Sequence, residues 1–246
     1  MAFEIHSALH LRKGNLVNMT ADSGLSLQQS YAFRNVGPEG LEGLERLCRS
    51  SETSSLKSGE YLYRQYDPPK NVFFVQQGEY MAELDCADGS RQVYVFGGAG
   101  ELLGFPVLDN YAYSVKSLTF VQTLSIAQDE FWKIVRDYSS LRRNLRKRGS
   151  QVLMSMSRQS AINGKLKAHE RVGVMLGDIS EIQQSERQVQ LNMTRQDIAD
   201  FLQLNSDSVS RAFRHLEEQG IICTDETGRT VDILQLQTIQ DLVARI

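Results

Sequence analysis

The chain has 246 residues, 41% of them hydrophobic and 23% charged, with a formal net charge of −3, a composition that excludes whole-chain disorder and leaves room for two modest domains or one large one. No run approaches the roughly 18 apolar residues that a bilayer span needs, and Met1 to Leu16 has neither the basic start nor the apolar centre of a signal peptide, so a cytoplasmic protein with no membrane partner is expected. Cys48, Cys86 and Cys223 are odd in number, far apart and without CxxC pairing, which excludes a disulfide framework and a zinc site and leaves free thiols as the expectation.

Residues 1–30 show no sustained periodicity and read as a flexible arm; His6 and His10, at i and i+4, are its only candidate ligands. Leu41, Leu44 and Leu47 then fall at helical spacing, with Cys48 as packing material beside them. Between Thr53 and Ile126 the period changes to two, and turn signals recur at Ser58-Gly59, Asp67-Pro68-Pro69, Gln77-Gly78, Asp88-Gly89, Gly97 to Gly100 and Asp109-Asn110. Strands are predicted over Glu60 to Arg64, Val72 to Gln76, Met81 to Asp85, Gln92 to Phe96, Tyr113 to Ser117 and Phe120 to Ser125. Short strands with closely spaced turns indicate a β-barrel or sandwich. The glycines at 97–100 lack the Gly-Lys-Ser/Thr ending of a phosphate loop and read as a turn.

From Asp129 to Asn163 the helical period returns. Leu141, Leu145, Arg148, Val152 and Met156 step by about 3.5 residues, the spacing of a two-stranded helical seam, although Gly149 and the basic run Arg142 to Arg148 weaken it. Ala168 to Ile179 is predicted as a further helix, with His169 a surface or capping residue. A polar loop leads to a short strand at Val189 to Asn192. After Gly220-Ile221-Ile222, a turn at Asp225 to Gly228 and a returning strand at Thr230 to Leu234 form a hairpin, and Leu236 to Arg245 forms a last helix.

The stretch Asn192 to Ile222 carries the functional signal. Ile198, Leu202, Leu204, Val209 and Phe213 fall where a helix-turn-helix buries its contacts, with the small Ala199 where two helices cross closely. Thr194 caps the first helix, with Asp197 at the capping-box position, and Asn205 or Ser206 caps the second. The corner is Gln203, which carries a strain of about 1 kcal/mol if the turn needs positive φ. The second helix leaves Ser206, Asp207, Ser208, Ser210, Arg211 and Arg214 outside, joined by Thr194, Arg195, Gln196 and Asn205 from the first helix and the turn. Short hydrogen-bonding groups with a guanidinium suit the edges of bases in a major groove, and Arg211 is the candidate for guanine O6 and N7. No Ser/His/Asp, Cys/His or paired-carboxylate grouping points to an enzyme. The positive charge lies between Lys133 and Arg171, whereas the C-terminal segment is acidic, so attraction to phosphate there requires a local face.

The order SGE, NVFFVQQGEYMAEL and GGAGELLGF, followed by that helix-turn-helix, resembles the CRP/FNR family of bacterial transcription regulators from about Phe33 onward. The resemblance implies an α+β fold: an N-terminal β-roll (a cyclic-nucleotide-binding-like jelly roll) over 31–128, a long dimerisation helix over 129–163 and a C-terminal winged helix-turn-helix over 164–246. Gly100 and Glu101 match the family's ribose-binding pair and, with Leu102, mark the expected effector pocket. The Arg-Ser/Thr phosphate motif is missing from Asp109 to Val115, which argues against cyclic AMP. The wording Gly100-Glu101-Leu102-Leu103-Gly104-Phe105 is closer to the FNR and FixK branch, yet residues 1–47 contain no cysteine, which argues against an iron–sulfur cluster. No cofactor is therefore expected. Haem held by His6 or His10, in a regulator sensing nitric oxide or oxygen, remains an alternative, as does a nucleotide-binding module acting through protein contacts. The branch typically carries Glu-x-x-Ser-Arg in its recognition helix, and the matching residues are Asp207, Ser210 and Arg211. The resemblance further implies a homodimer reading an inverted repeat of TTGA-like half-sites on double-stranded DNA, and activation through contact with RNA polymerase.

Overall fold

The computed structural model describes Phe33, residues 36–105 and residues 109–244. The predicted arm, with His6 and His10, lies outside these residues.

Helix α1 (Pro38–Arg49) precedes eight strands: β1 (Ser51–Leu56), β2 (Tyr61–Tyr63), β3 (Asn71–Gln77), β4 (Tyr80–Asp85), β5 (Arg91–Gly97), β6 (Leu102–Leu103), β7 (Ser114–Ser117) and β8 (Val121–Ala127). They form two four-stranded antiparallel sheets, ordered β1-β8-β3-β6 and β2-β7-β4-β5. Alternation along the strands divides their side chains between faces. On β3 and β8, Val72, Phe74, Leu124 and Ile126 turn outward to meet α1 and the next helix, while Phe73, Val75 and Val121 turn into the roll. In the second sheet, β4 and β5 are offset by a bulge between Ala82 and Glu83. Its outer face then presents Met81, Val93 and Phe96 to the C-terminal domain.

Where one helix was expected from 129 to 163 there are two. Helix α2 (Gln128–Asp137) stops at Tyr138, whose backbone is extended, and α3 (Ser139–Lys165) starts immediately after it. The break lets the chain bury both Tyr138 and Leu141 against α1. Gly43 makes that approach possible, because a Cβ there would stand 2.8 Å from Leu141 and from the Tyr138 ring. Leu141 therefore belongs to the core of its own chain and not to the expected seam between helices. Beyond it α3 is anchored at the far end by Ile162, which packs with Val174 and Leu242. Between these anchors Val152, Leu153, Met154 and Met156 are 41%, 67%, 59% and 50% exposed. Arg148 also leaves the expected seam: its Nη2 reaches back to both carboxylate oxygens of Glu101, at 2.7 and 2.5 Å. Farther along, Arg158 pairs with Asp178 at 3.1 Å.

The C-terminal domain comprises α4 (Ala168–Ile182), β9 (Gln188–Gln190), α5 (Arg195–Leu202), α6 (Ser206–Glu218), β10 (Ile222–Thr224), β11 (Thr230–Ile233) and α7 (Leu236–Ala244), with its strands in the order β10-β11-β9. Gln203, between α5 and α6, has φ 53° and ψ 49°. A side chain in this left-handed region is strained. Replacing Gln203 by glycine is expected to stabilise the protein by about 1 kcal/mol, read as a higher midpoint of thermal unfolding.

Candidate nucleic-acid interface

Helix α5 begins because Thr194 closes a reciprocal cap: its hydroxyl accepts from the Asp197 amide at 3.1 Å, while Asp197 Oδ2 accepts from the Thr194 amide at 2.8 Å. At the other end Arg171 Nη1 donates to the Leu202 carbonyl at 3.0 Å, satisfying one of the helix's terminal acceptors. Helix α6 begins where Asn205 Oδ1 accepts from the Ser208 amide at 2.7 Å. Its inner stripe, Val209, Ala212, Phe213 and Leu216, packs into the domain core with Ile198, Ala199 and Leu202. The spacing that buries these residues turns Asp207, Ser210, Arg211 and Arg214 into solvent.

The predicted contact residues divide into three groups. The side chains of Asp207 and Arg214 have no hydrogen bond or ion pair among the described residues. Ser208, Ser210 and Arg211 are exposed or half-exposed and held from within the helix: Arg211 Nη2 donates to Ser208 Oγ at 3.0 Å, and Ser210 Oγ donates to the Ser206 carbonyl at 3.0 Å. Thr194 and Asn205 are engaged as caps, and Gln196 and Ser206 bond each other at 2.7 Å. Arg195 stands apart. Its guanidinium lies 3.6 Å over the Phe213 ring, and Nη2 donates to the Gly228 carbonyl in the β10–β11 turn at 3.3 Å. Burial holds its pKa below the ordinary arginine value, and here the side chain ties the hairpin to α6. That hairpin is closed by Asp225 Oδ1, which accepts from the amides of Arg229 at 2.9 Å and Thr230 at 3.0 Å.

Beside Arg211 a groove of about 380 Å³ runs between α4 and α6, lined by Ala168, His169, Ser208, Arg211, Ala212 and His215. The two imidazoles meet with ring centroids 4.3 Å apart. Burial, and then the neighbouring His215, lower the His169 pKa below its ordinary 6.5.

The residue that fastens this domain to the roll has no signature in the sequence. Arg91 on β5 donates to Glu83 at 3.1 Å, to Asp197 at 2.7 Å and to Asp200 at 2.5 and 3.0 Å. Around it Phe96 and Phe201 lie 4.8 Å apart, and Glu79 accepts from Gln183 and Asn192, both at 3.1 Å. No local pattern marks Arg91, since its two aspartates lie 106 and 109 positions away.

Inside the roll, Tyr63 and Tyr111 stack at 4.0 Å, Tyr113 lies 5.8 Å from Tyr63, and Tyr94 meets Tyr113 edge-on at 5.4 Å. The cavity beside them, lined in part by Leu56, Val75, Tyr80 and Val121, measures about 10 Å³. That is the space of about one water molecule. Among the described residues no group of three or more His, Cys, Asp or Glu converges on a point that would hold a metal ion, and no helix is long and apolar enough to cross a membrane.

Comparison with known proteins matches the two halves separately, residues 53–138 to the cyclic nucleotide-binding domain and residues 170–242 to the Crp-like helix-turn-helix domain. The chain belongs to the CRP/FNR family. Among its relatives is the nitrogen fixation regulation protein FixK of Rhizobium meliloti, 29% identical over 214 residues, which are 87% of this chain and 95% of that protein. The transcriptional activator protein Anr of Pseudomonas aeruginosa is 28% identical over 203 residues, 80% of this chain and 81% of that protein. The solved structure of FixK2 from Bradyrhizobium japonicum superposes with a TM-score of 0.71 at 22% identity, over 78% of this chain and 96% of that one. The FixK-like placement read from the roll is thereby supported, and this CRP/FNR protein is a DNA-binding transcription regulator and not an enzyme.

The Arg91 cluster gives the protein an acid-labile joint. Burial pushes the Asp197 carboxyl up, but the hydrogen bonds from Thr194 and Arg91 outweigh it and hold the pKa below the ordinary 3.8. A carboxylate depressed in the folded state contributes stability above its unfolded pKa and loses it as pH falls through the folded value. Stability measured by urea unfolding is therefore expected to fall between about pH 5 and about pH 3, and to fall less steeply in Asp197→Asn.

Proposed function

We propose that the protein works as a homodimer that binds an inverted repeat of TTGA-like half-sites and activates transcription through contact with RNA polymerase. The observation that carries this reading is the outer face of α6, where Asp207, Ser210, Arg211 and Arg214 are exposed on a helix whose opposite face is locked into the domain core. In this reading Arg211 donates to guanine O6 and N7. Asp207 accepts from a cytosine or adenine amino group, and Arg214, with Thr194 and Asn205 near the helix starts, faces the phosphates. The two copies of α6 sit about 34 Å apart on one side of the duplex.

The twofold contact is assigned to the middle of α3. Gly149, Val152 and Met156 share one stripe at seam spacing, which starts at Leu145, itself half-buried against the core around Leu141, and the exposed apolar residues beyond it are otherwise unexplained in a monomer. Gly149, at first sight a weakness, has open space where a Cβ would stand, so it allows two backbones to approach.

The residues of the roll do not fit a cyclic nucleotide. The Glu101 carboxylate is taken by Arg148, and no arginine stands in Asp109 to Val115 to meet a phosphate.

Selection of bound duplexes from a random pool with purified protein tests the reading; recovery of an inverted repeat supports it, and indifference to duplex DNA at low ionic strength overturns it. Arg211→Ala is expected to cost about 1–3 kcal/mol on the recovered site and to relax one guanine preference, measured by fluorescence anisotropy. Met156→Glu, by setting two unpaired carboxylates against an apolar seam, is expected to weaken the dimer about a hundredfold in sedimentation while leaving helical content unchanged.

A further inference from the structure

The hydrogen-bonding groups offered by the recognition helix stand at the end of a relay that begins on the β-roll. Arg91 donates to Asp200 Oδ2 from both Nε, at 3.0 Å, and Nη2, at 2.5 Å. The other carboxylate oxygen, Oδ1, accepts from Gln196 Nε2 at 2.6 Å. Gln196 Oε1 in turn accepts from Ser206 Oγ at 2.7 Å. Ser206 is the first residue of α6 and is half-exposed.

Each link fixes the next by elimination. An ionised carboxylate can only accept, so it must meet the amino end of the Gln196 amide and not its oxygen. The amide oxygen is thereby turned to Ser206. Because that oxygen too can only accept, the serine proton must point at it. What Ser206 has left for an outside partner is lone pairs.

We propose that Arg91 is a positioning residue for DNA reading, which acts through Asp200 and Gln196 to make Ser206 a pure acceptor, so that one position of each half-site selects a base with a major-groove amino group, cytosine or adenine. This rests on the DNA-binding reading above. The relay also defines what would invert it. In Asp200→Asn the side-chain oxygen must stay toward Arg91, which can only donate, so the new Nδ2 takes the place of Oδ1 and faces Gln196. The Gln196 amide then turns over, its amino end meets Ser206, and the serine proton is released outward as a donor. A donor rejects cytosine, whose major-groove edge offers only the N4 amino group, and is met by guanine O6 or thymine O4, while adenine, with both an amino group and N7, serves either state.

The test is a panel of duplexes with all four bases at each half-site position, titrated by fluorescence anisotropy against the full-length protein and its variants. The parent is expected to favour cytosine or adenine at one position by about threefold to tenfold, the scale of a single hydrogen bond, and Ser206→Ala to lose that preference. Asp200→Asn is expected to reverse the ranking of cytosine against guanine and thymine at that position alone, with adenine little changed. Arg91→Gln is expected to flatten it without reversal, because the carboxylate is no longer held in place. A residue with a merely structural role would lower affinity for every duplex alike. The proposal is overturned if Asp200→Asn keeps the parental preference or weakens all duplexes equally, or if Arg91→Gln leaves the position as selective as before. Should Asp200→Asn fail to fold, the double mutant of Arg91→Gln and Ser206→Ala decides the matter: a combined effect no larger than that of Ser206→Ala supports the relay, and additive losses overturn it. A parent protein that binds no duplex overturns the DNA-binding reading instead.

Discussion

A single guanidinium surrounded by carboxylates joins the two halves of this protein. Arg91 is placed among Glu83, Asp197 and Asp200, whose side chains are only 6%, 9% and 14% exposed. Three acids facing one base would repel one another, and withdrawing so many charges from water is costly. The cluster is tenable because every carboxylate has a further donor: Tyr61 on Glu83 at 2.6 Å, Thr194 on Asp197 at 2.7 Å and Gln196 on Asp200 at 2.6 Å. Burial, with Glu83 beside it, pushes the Tyr61 phenol up to about 12, so it remains a donor at neutral pH. Such an arrangement contributes less to net stability than to uniqueness, since only one docking of α5 on the roll satisfies all of these groups together.

The same economy of space governs the roll. Its interior is filled by a stack of tyrosines, and burial pushes Tyr63 and Tyr80 well above the ordinary phenol value, so both stay neutral. Hydroxyls of the stack find backbone partners, as where Tyr63 accepts from the Gly104 amide at 3.2 Å and Tyr111 donates to the Asn71 carbonyl at 2.8 Å. The outer face of this cyclic nucleotide-binding-type roll carries the helix-turn-helix domain.

What the sequence made legible was whatever depends on neighbours in the chain. The two helices around Gln203 could be placed because their apolar spacing, caps and small Ala199 are local signals, and strands β3, β4 and β5 because short apolar runs lie between turns rich in glycine. Strand β1 went unseen for the opposite reason: Ser51 to Ser55 are exposed or half-exposed residues on an edge, paired only with β8, and no alternation marks them. The break at Tyr138 was also hidden. Nothing in its own stretch disfavours a helix there; the cause is the pocket beside Gly43, which exists only once α1 has packed. For the same reason Leu141 has the right spacing for a seam and lies elsewhere. Among the site residues, exposure of Asp207, Ser210, Arg211 and Arg214 followed from periodicity. The inward turn of Arg195 and the role of Arg91 did not, because both depend on contacts with residues far away in the chain.

The ion pair between Arg148 and Glu101 changes what signalling through the roll would require. A tethered cation from α3 already occupies this carboxylate, at the high local concentration that tethering confers. Any small molecule seeking that carboxylate must first displace its own protein's side chain, and its apparent affinity is reduced by the fraction of time the clasp stands open. Success would be felt at once by the helix that carries the apolar face, because releasing Arg148 unfastens α3 in the middle of its exposed span. Under the twofold contact proposed for α3, entry of a ligand and loosening of that contact are one event.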